Sequence, residues 1–189
     1  MGYDTIFKGF FLFDRPLTQE QIDYLKKFSE TRRTKRDPEI AKNMPDPLRL
    51  AVSLPIGEEA EYFVNGKGCA GQDRDESTID SNKPPGKQPQ LWCQWEPNDK
   101  GTRLRWNKAE KFYAYIHWLI YMIDKFFIPW QYKLNGKVRY YGEGHGDTGV
   151  IIVENNNVYH RYLSYNKEGR VKYRSPRELL YEMKTEKLE

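Results

Sequence analysis

The chain has 189 residues, 31% of them charged and 15% aromatic, with a formal net charge of +4 from 31 basic and 27 acidic side chains. That length suits one domain with a substantial core, and the aromatic content excludes a disordered composition. A charge this close to balance permits nucleic-acid binding without arguing for it.

The densest apolar stretch, Phe112 to Ile123, is flanked by Lys108, Glu110, Lys111, Asp124 and Lys125. It is shorter than the roughly 20 residues a bilayer requires. The N-terminus, MGYDTIFKGFF, lacks the basic, apolar and small-residue succession of a secretory signal. The expectation is a cytoplasmic protein with no membrane partner. Cys69 and Cys93 are isolated and read as two reduced thiols. With His117, His145 and His160 as the only histidines, a His-rich metal site is excluded and no cofactor is implied.

In chain order, Ile6 to Phe13 is rich in β-formers and predicts a buried strand. Thr18 followed by Gln21 fits a capping box, and Ile22, Leu25 and Phe28 recur at helical spacing, so a helix is expected over about 19–33. Its end is the basic run TRRTKR, where Arg32, Arg33, Lys35 and Arg36 oppose the helix dipole and add solubility, and also suit phosphate. Residues 34–90 hold Pro38, Pro45, Pro47, Pro55, Pro84, Pro85 and Pro89 and read as a loop-rich insertion. A short helix from Pro47 through Val52 and a short strand from Glu61 to Val64 are expected inside it. Asp73, Asp75, Ser77 and Asp80 hint at oxygen-ligand spacing, but Thr78 stands where an EF-hand loop needs glycine, so a solvated turn is the plainer reading.

LWCQWEPNDKGTRLRW predicts a β-hairpin. Alternation puts Trp92, Gln94 and Glu96 on one face, Leu91, Cys93 and Trp95 on the other, and Arg103 with Arg105 on the partner strand. If helices cover only one side of the sheet, aromatics beside these arginines form a surface suited to stacking bases; the competing reading has the insertion burying that face. Asn107 and Glu110 look like an N-cap pair. The helix after them carries Phe112, Ile116, Leu119, Ile120, Ile123 and Phe127 on one face and Tyr113, His117 and Tyr121 on another, which predicts a central helix with His117 in the core. Asn135-Gly136 is a hairpin signal, VIIVENNNVYHRYL a strand, turn and strand, and Ser175, Pro176 and Glu178 the start of a short helix in a C-terminal extension over 164–189. The fold expected is a single α+β domain of two layers: a mostly antiparallel sheet with ferredoxin-like βαββαβ order and extra C-terminal strands.

GEGHGDTGVIIV contains G-x-G-x-x-G at Gly144, Gly146 and Gly149, but a strand rather than a helix follows, so no dinucleotide site is read from it. A connection between strands is the simpler account. Glu143, His145 and Asp147 alternate, and in extended chain they share one face, as acid/base chemistry would want.

The motifs LPIGEE, GQDRD, NKPP and LWCQW, with AEKFYAYIHWLIYMI and PWQYKLNGKVRYYGE, resemble an uncharacterised family of cytoplasmic proteins from bacteria and their phages. The resemblance spans most of residues 5–155. It implies one domain with the loop as an integral part, and no activity. The functional reading is a non-enzymatic binding or interaction protein that engages a host protein or a small anionic, nucleotide-like ligand. Its candidate residues are Gln72, Asp73, Arg74, Asp75, Trp92, Arg103, Arg105, His145 and Asp147. The alternatives are single-stranded nucleic-acid binding through the sheet face and TRRTKR, and an enzyme using His145 with an acidic partner.

Overall fold

Strand β1 (Thr5–Phe13) alternates: Thr5, Phe7, Phe11 and Phe13 are buried, whereas Ile6, Lys8, Phe10 and Leu12 are exposed. The strand expected to be buried on both sides is therefore covered on one only. Each buried phenylalanine contributes about 1.5–3 kcal/mol, so this single register is strongly preferred. The computed structural model describes residues 2–65, 74–144, 146–165 and 171–173.

Helix α1 (Gln19–Glu30) opens with the expected capping box: Gln21 N–H donates to Thr18 Oγ1 at 3.3 Å and Thr18 N–H to Gln21 Oε1 at 3.0 Å. It buries Ile22, Tyr24, Leu25 and Phe28. The helix stops short of residue 33 because Thr31 is already extended and Arg33 N–H donates to the Leu91 carbonyl at 2.8 Å.

The basic run is not a solvated helix end. Arg33 is 1% exposed, donating from Nε to Gln88 Oε1 (3.1 Å) and from Nη2 to the carbonyls of Glu61 (2.8 Å) and Phe63 (2.9 Å). Arg36 is buried as well and binds Asp75 and Ser77, and Arg32 reaches the Ser81 carbonyl. A loop-rich segment leaves many carbonyls unpaired, and a guanidinium with five donors in a rigid fork satisfies several at once. The run thus fastens Glu61, Phe63, Asp75, Ser81, Gln88 and Leu91 to the end of α1.

The loop-rich stretch 34–90 contains β2 (Lys35–Arg36) paired with β3 (Thr78–Asp80), the short helices α2 (Pro38–Ala41) and α3 (Pro47–Ala51), and a 3-10 turn at Glu58–Ala60. The strand expected from Glu61 to Val64 does not form; Glu61 and Phe63 N–H groups donate back to Glu58 and Ala60 in successive turns.

Strands β4 (Trp95–Pro97) and β5 (Arg103–Trp106) make the predicted hairpin, but 91–94 stay irregular, and Cys93, Gln94 and Trp95 are buried in succession rather than alternately. Helix α4 (Tyr115–Met122) continues into a π turn at Ile123–Phe127. It starts after Ala114, not at Asn107, whose side chain instead accepts from Ala109 N–H at 2.9 Å. Trp118, Leu119, Tyr121 and Met122 are buried, while His117 is exposed, contrary to its expected place in the core.

Asn135-Gly136 lies inside β6 (Leu134–Gly142) and is no hairpin turn. Gly136 has φ +134° and pairs with Phe11, and a Cβ there would stand 3.0 Å from the Phe10 carbonyl, so close approach of strands explains the glycine. The tight turn falls at Asn155-Asn156, both with positive φ, between β7 (Thr148–Glu154) and β8 (Asn157–Tyr165). Strand β9 (Val171–Tyr173) follows, and the expected terminal helix lies outside the described residues.

The result is an α+β fold with a sheet ordered β4-β5-β1-β6-β7-β8-β9, each adjacent pair antiparallel. Both long helices pack on one face. Phe7 and Phe11 meet Trp95, Phe13 meets Phe127, and Tyr24 and Phe28 of α1 meet Phe126.

Candidate functional site

The face opposite the helices is exposed over β1, β5 and β6, becomes buried at Val150 of β7, and carries three cross-strand rows. In the first, Lys8 of β1 pairs with Arg139 of β6, Arg139 with Val150 of β7, and Val150 with Arg161 of β8. In the second, Phe10 pairs with Lys137, Lys137 with Ile152, and Ile152 with Tyr159. In the third, Leu12 stands between Arg103 and Asn135. Cross-strand partners point to the same side of a sheet, so these rows share one surface. On it Ile6 (54%), Phe10 (38%) and Leu12 (47%) are exposed apolar side chains, ringed by exposed Lys8, Arg103, Arg105, Lys137 and Arg139.

Aromatic and cation are already in contact there. The Arg103 guanidinium lies 4.2 Å from the centroid of the Phe10 ring, and Lys8 Nζ is 5.4 Å from that of Tyr141. Arg105 pairs with Glu96 at 3.6 Å across the β4–β5 hairpin and keeps half of its side chain in solvent. Burial pushes the Glu96 carboxyl up, an effect that Arg105 and Lys26 oppose. β1 pairs with β5 through Phe11 and Leu12. Beside it the same surface holds a cleft of about 470 Å³ lined by Ile6, Phe7, Lys8, Arg105, Trp106 and Lys108.

The other residues singled out from sequence fall elsewhere. Arg74 is exposed and reaches Ser81 Oγ at 3.4 Å. Asp75 accepts from Ser77 and Arg36, and these bonds hold its carboxyl below its ordinary range even though burial works in the opposite sense. It organises a turn. Trp92 is half-buried in the irregular stretch before β4 and does not share a strand with the arginines. Gln72, Asp73 and His145 lie outside the described residues.

Asp147 belongs to the glycine connection between β6 and β7. Its Oδ2 accepts from the Tyr3 hydroxyl at 2.5 Å, and that hydroxyl oxygen accepts from Gly144 N–H at 2.8 Å. Asp147 N–H closes onto the Gly144 carbonyl at 3.0 Å, so the stretch turns rather than extends, and the common face expected for Glu143 and Asp147 does not arise. Gly146, with φ +85°, occupies the left-handed position of that turn.

Sequence reasoning found Arg103 and Arg105 but missed Lys8, Phe10, Lys137 and Arg139. The signal is the alternation in IFKGFFLF and in NGKVRYY, which a reading of β1 as fully buried conceals. It also missed a buried polar pair, the Tyr140 hydroxyl and His160 Nε2, 2.7 Å apart. Burial pushes the His160 imidazole down to about 4 and the Tyr140 phenol upward. Among the described residues no group of His, Cys, Asp and Glu could hold a metal ion, and no helix is long and apolar enough to cross a membrane. Cys93 is buried, its thiol pushed up to about 12, and is not a nucleophile.

No protein-family model, curated protein or solved structure matches the chain.

Proposed function

We propose that this is a non-enzymatic cytoplasmic protein that binds single-stranded nucleic acid on the open sheet face. The observation that carries the reading is Phe10, solvent-exposed on a central strand with Arg103 against its ring and Lys8, Arg105, Lys137 and Arg139 around it. Exposed rings offer stacking platforms to unpaired bases, flanking cations follow the phosphates, and an open sheet accommodates a strand that a duplex groove would not present. TRRTKR drops out of the interface because Arg33 and Arg36 are interior.

The same reading favours a ferredoxin-like unit made of β1, α1, β4, β5, α4 and β6, with residues 34–90 carrying the insertion and β7–β9 widening the sheet. Its support is the spatial order β4-β5-β1-β6, in which the second, third, first and fourth strands of the unit lie side by side. The resemblance to uncharacterised bacterial and phage proteins brings no activity with it.

The test is fluorescence anisotropy of a labelled oligothymidylate of about 12 nucleotides, a length within the span one small domain covers. Binding that weakens with salt and is lost on replacing Phe10 and Arg103 together is expected. Absence of binding at low salt, or binding indifferent to that double change, overturns the proposal.

A further inference from the structure

A second cavity, of about 680 Å³, lies away from the sheet face, between Pro89 with its neighbour Lys87 and one side of α4 and its π turn. Ile120, Tyr121, Asp124 and Lys125 line the helical side, and His117 borders it. Three features mark it as a built site rather than a gap between elements.

The first is the buried network behind it. The Tyr121 hydroxyl donates to Glu61 Oε2 at 2.8 Å and accepts from Gln88 Nε2 at 3.0 Å, and Gln88 Oε1 in turn accepts from Arg33. Glu61 Oε1 stands 3.8 Å from Lys125 Nζ. Arg33, Glu61, Gln88 and Tyr121 are each at least nine-tenths buried. Two charges held this deep in the protein require compensation by hydrogen bonds in fixed geometry, which makes the wall of the cavity rigid.

The second feature is local backbone strain in the helical wall and in the turn that supports it through Glu61. Glu61 follows Glu59 (φ 52°) and Ala60 (φ 60°), two non-glycine residues in the left-handed region. Beside it the helix widens into the π turn at Ile123–Phe127, which carries Asp124 and Lys125. Left-handed non-glycine residues and π turns both cost free energy and concentrate at binding and catalytic sites.

The third feature is the chemistry of the lining. Pro89, Ile120 and the Tyr121 ring form an apolar wall, Lys87 and Lys125 supply two ammonium groups, and Asp124 supplies one acceptor. Lys125 leans toward Glu61, so its ammonium is oriented, while Lys87 is exposed at the mouth.

We infer that this cavity binds a small organic anion: a carboxylate, phosphate or sulfonate held by Lys87 and Lys125, with an aromatic or aliphatic body against Pro89, Ile120 and Tyr121. It is a site distinct from the nucleic-acid face and does not depend on it.

The probe is 1-anilinonaphthalene-8-sulfonate, an aromatic sulfonate whose fluorescence rises in an apolar environment, titrated into the full chain with its location read from amide chemical-shift changes. Saturable binding with shifts confined to residues 85–90 and 114–125 is expected. Lys125→Gln and Lys87→Gln should each weaken it by about tenfold, the loss of one charge-assisted contact, and benzoate should compete. Lys42→Gln, at an exposed pair with Glu39 on α2, serves as the control and should leave binding unchanged. Lys87 is exposed, so its variant keeps the fold; an unchanged unfolding temperature verifies this. Unsaturable binding, shifts centred on the sheet face, or an affinity unchanged from the parent in either lysine variant overturns the inference.

Discussion

The Arg103 guanidinium lies over the Phe10 ring, 4.2 Å from its centroid, on a face that no helix covers. An exposed cation–π pair of this kind is worth only about 0.5–1 kcal/mol, so a base can displace the guanidinium at little cost. Arg103 would then turn to a phosphate while the base takes its place on the ring. Phe10→Ala is expected to weaken oligothymidylate binding by roughly tenfold, the usual loss of one stacking platform, with no change in the slope against salt. Anisotropy titrations at several salt concentrations measure both quantities.

The cations predict a complementary effect. Arg105→Gln, Lys137→Gln and Arg139→Gln each remove one phosphate contact, so the slope of log affinity against log salt should shrink by about 0.7 per substitution. Arg105 is already paired with Glu96 and should show the smallest change of the three. Equal loss of affinity at every salt concentration would contradict a phosphate role.

The buried Tyr140–His160 pair predicts a pH dependence of stability. Burial lowers the His160 pKa to about 4 in the folded protein, against about 6.5 in an unfolded chain. Between those values the unfolded state binds more protons than the folded one, so stability is fully present above about pH 6.5 and falls as the pH drops toward 4. From pH 7 to pH 5 the loss from this residue is about 2 kcal/mol. Urea unfolding at the two pH values should show it, and His160→Gln should remove that part of the difference.

Two glycines of this region respond to substitution for different reasons. A Cβ on Gly149 would stand 2.4 Å from the Tyr140 hydroxyl, inside the Tyr140–His160 pair, whereas one on Gly146 would meet nothing within 4 Å. Gly149→Ala should therefore destabilise by about 1–3 kcal/mol through overpacking. Gly146→Ala should lose only about 1–2 kcal/mol, the strain of its positive φ. Raising the size further separates them: Gly149→Val should prevent folding, while thermal unfolding of Gly146→Asn should stay close to that of the parent.

Asp46 and Arg49 form a buried ion pair at 3.0 Å, and Asp46 also accepts from Val64 N–H at 3.3 Å. Asp46→Ala should lose about 3–5 kcal/mol, because the Arg49 guanidinium stays buried without its partner. Arg49 is 6% exposed and also donates from Nη1 to the Leu54 carbonyl at 2.8 Å. The loss is read by denaturant unfolding at neutral pH.

What could be read from the sequence alone was local. The capping box at Thr18 and Gln21 and the apolar spacing of Ile22, Leu25 and Phe28 specify α1, because both depend on residues within one or two turns. The β4–β5 hairpin, the β7–β8 turn and the α+β class were legible for the same reason, as was the placing of Arg103 and Arg105 together on one strand. Tertiary structure decided everything that rests on distant partners. Asn135-Gly136 has the composition of a turn, yet lies in a strand because β1 and β7 pair on either side of it. Arg33 and Arg36 have the composition of a solvated helix end, yet are interior because the carbonyls of Glu61 and Phe63 and the carboxylate of Asp75 close around them. His117 turned outward and His160 inward, and nothing within a few residues of either distinguishes the two. Which face of β1 stays open depends on where α1 and α4 pack, a choice made by side chains as distant in sequence as Tyr115 and Phe127; only after it is made do Phe10 and Lys8 become a surface.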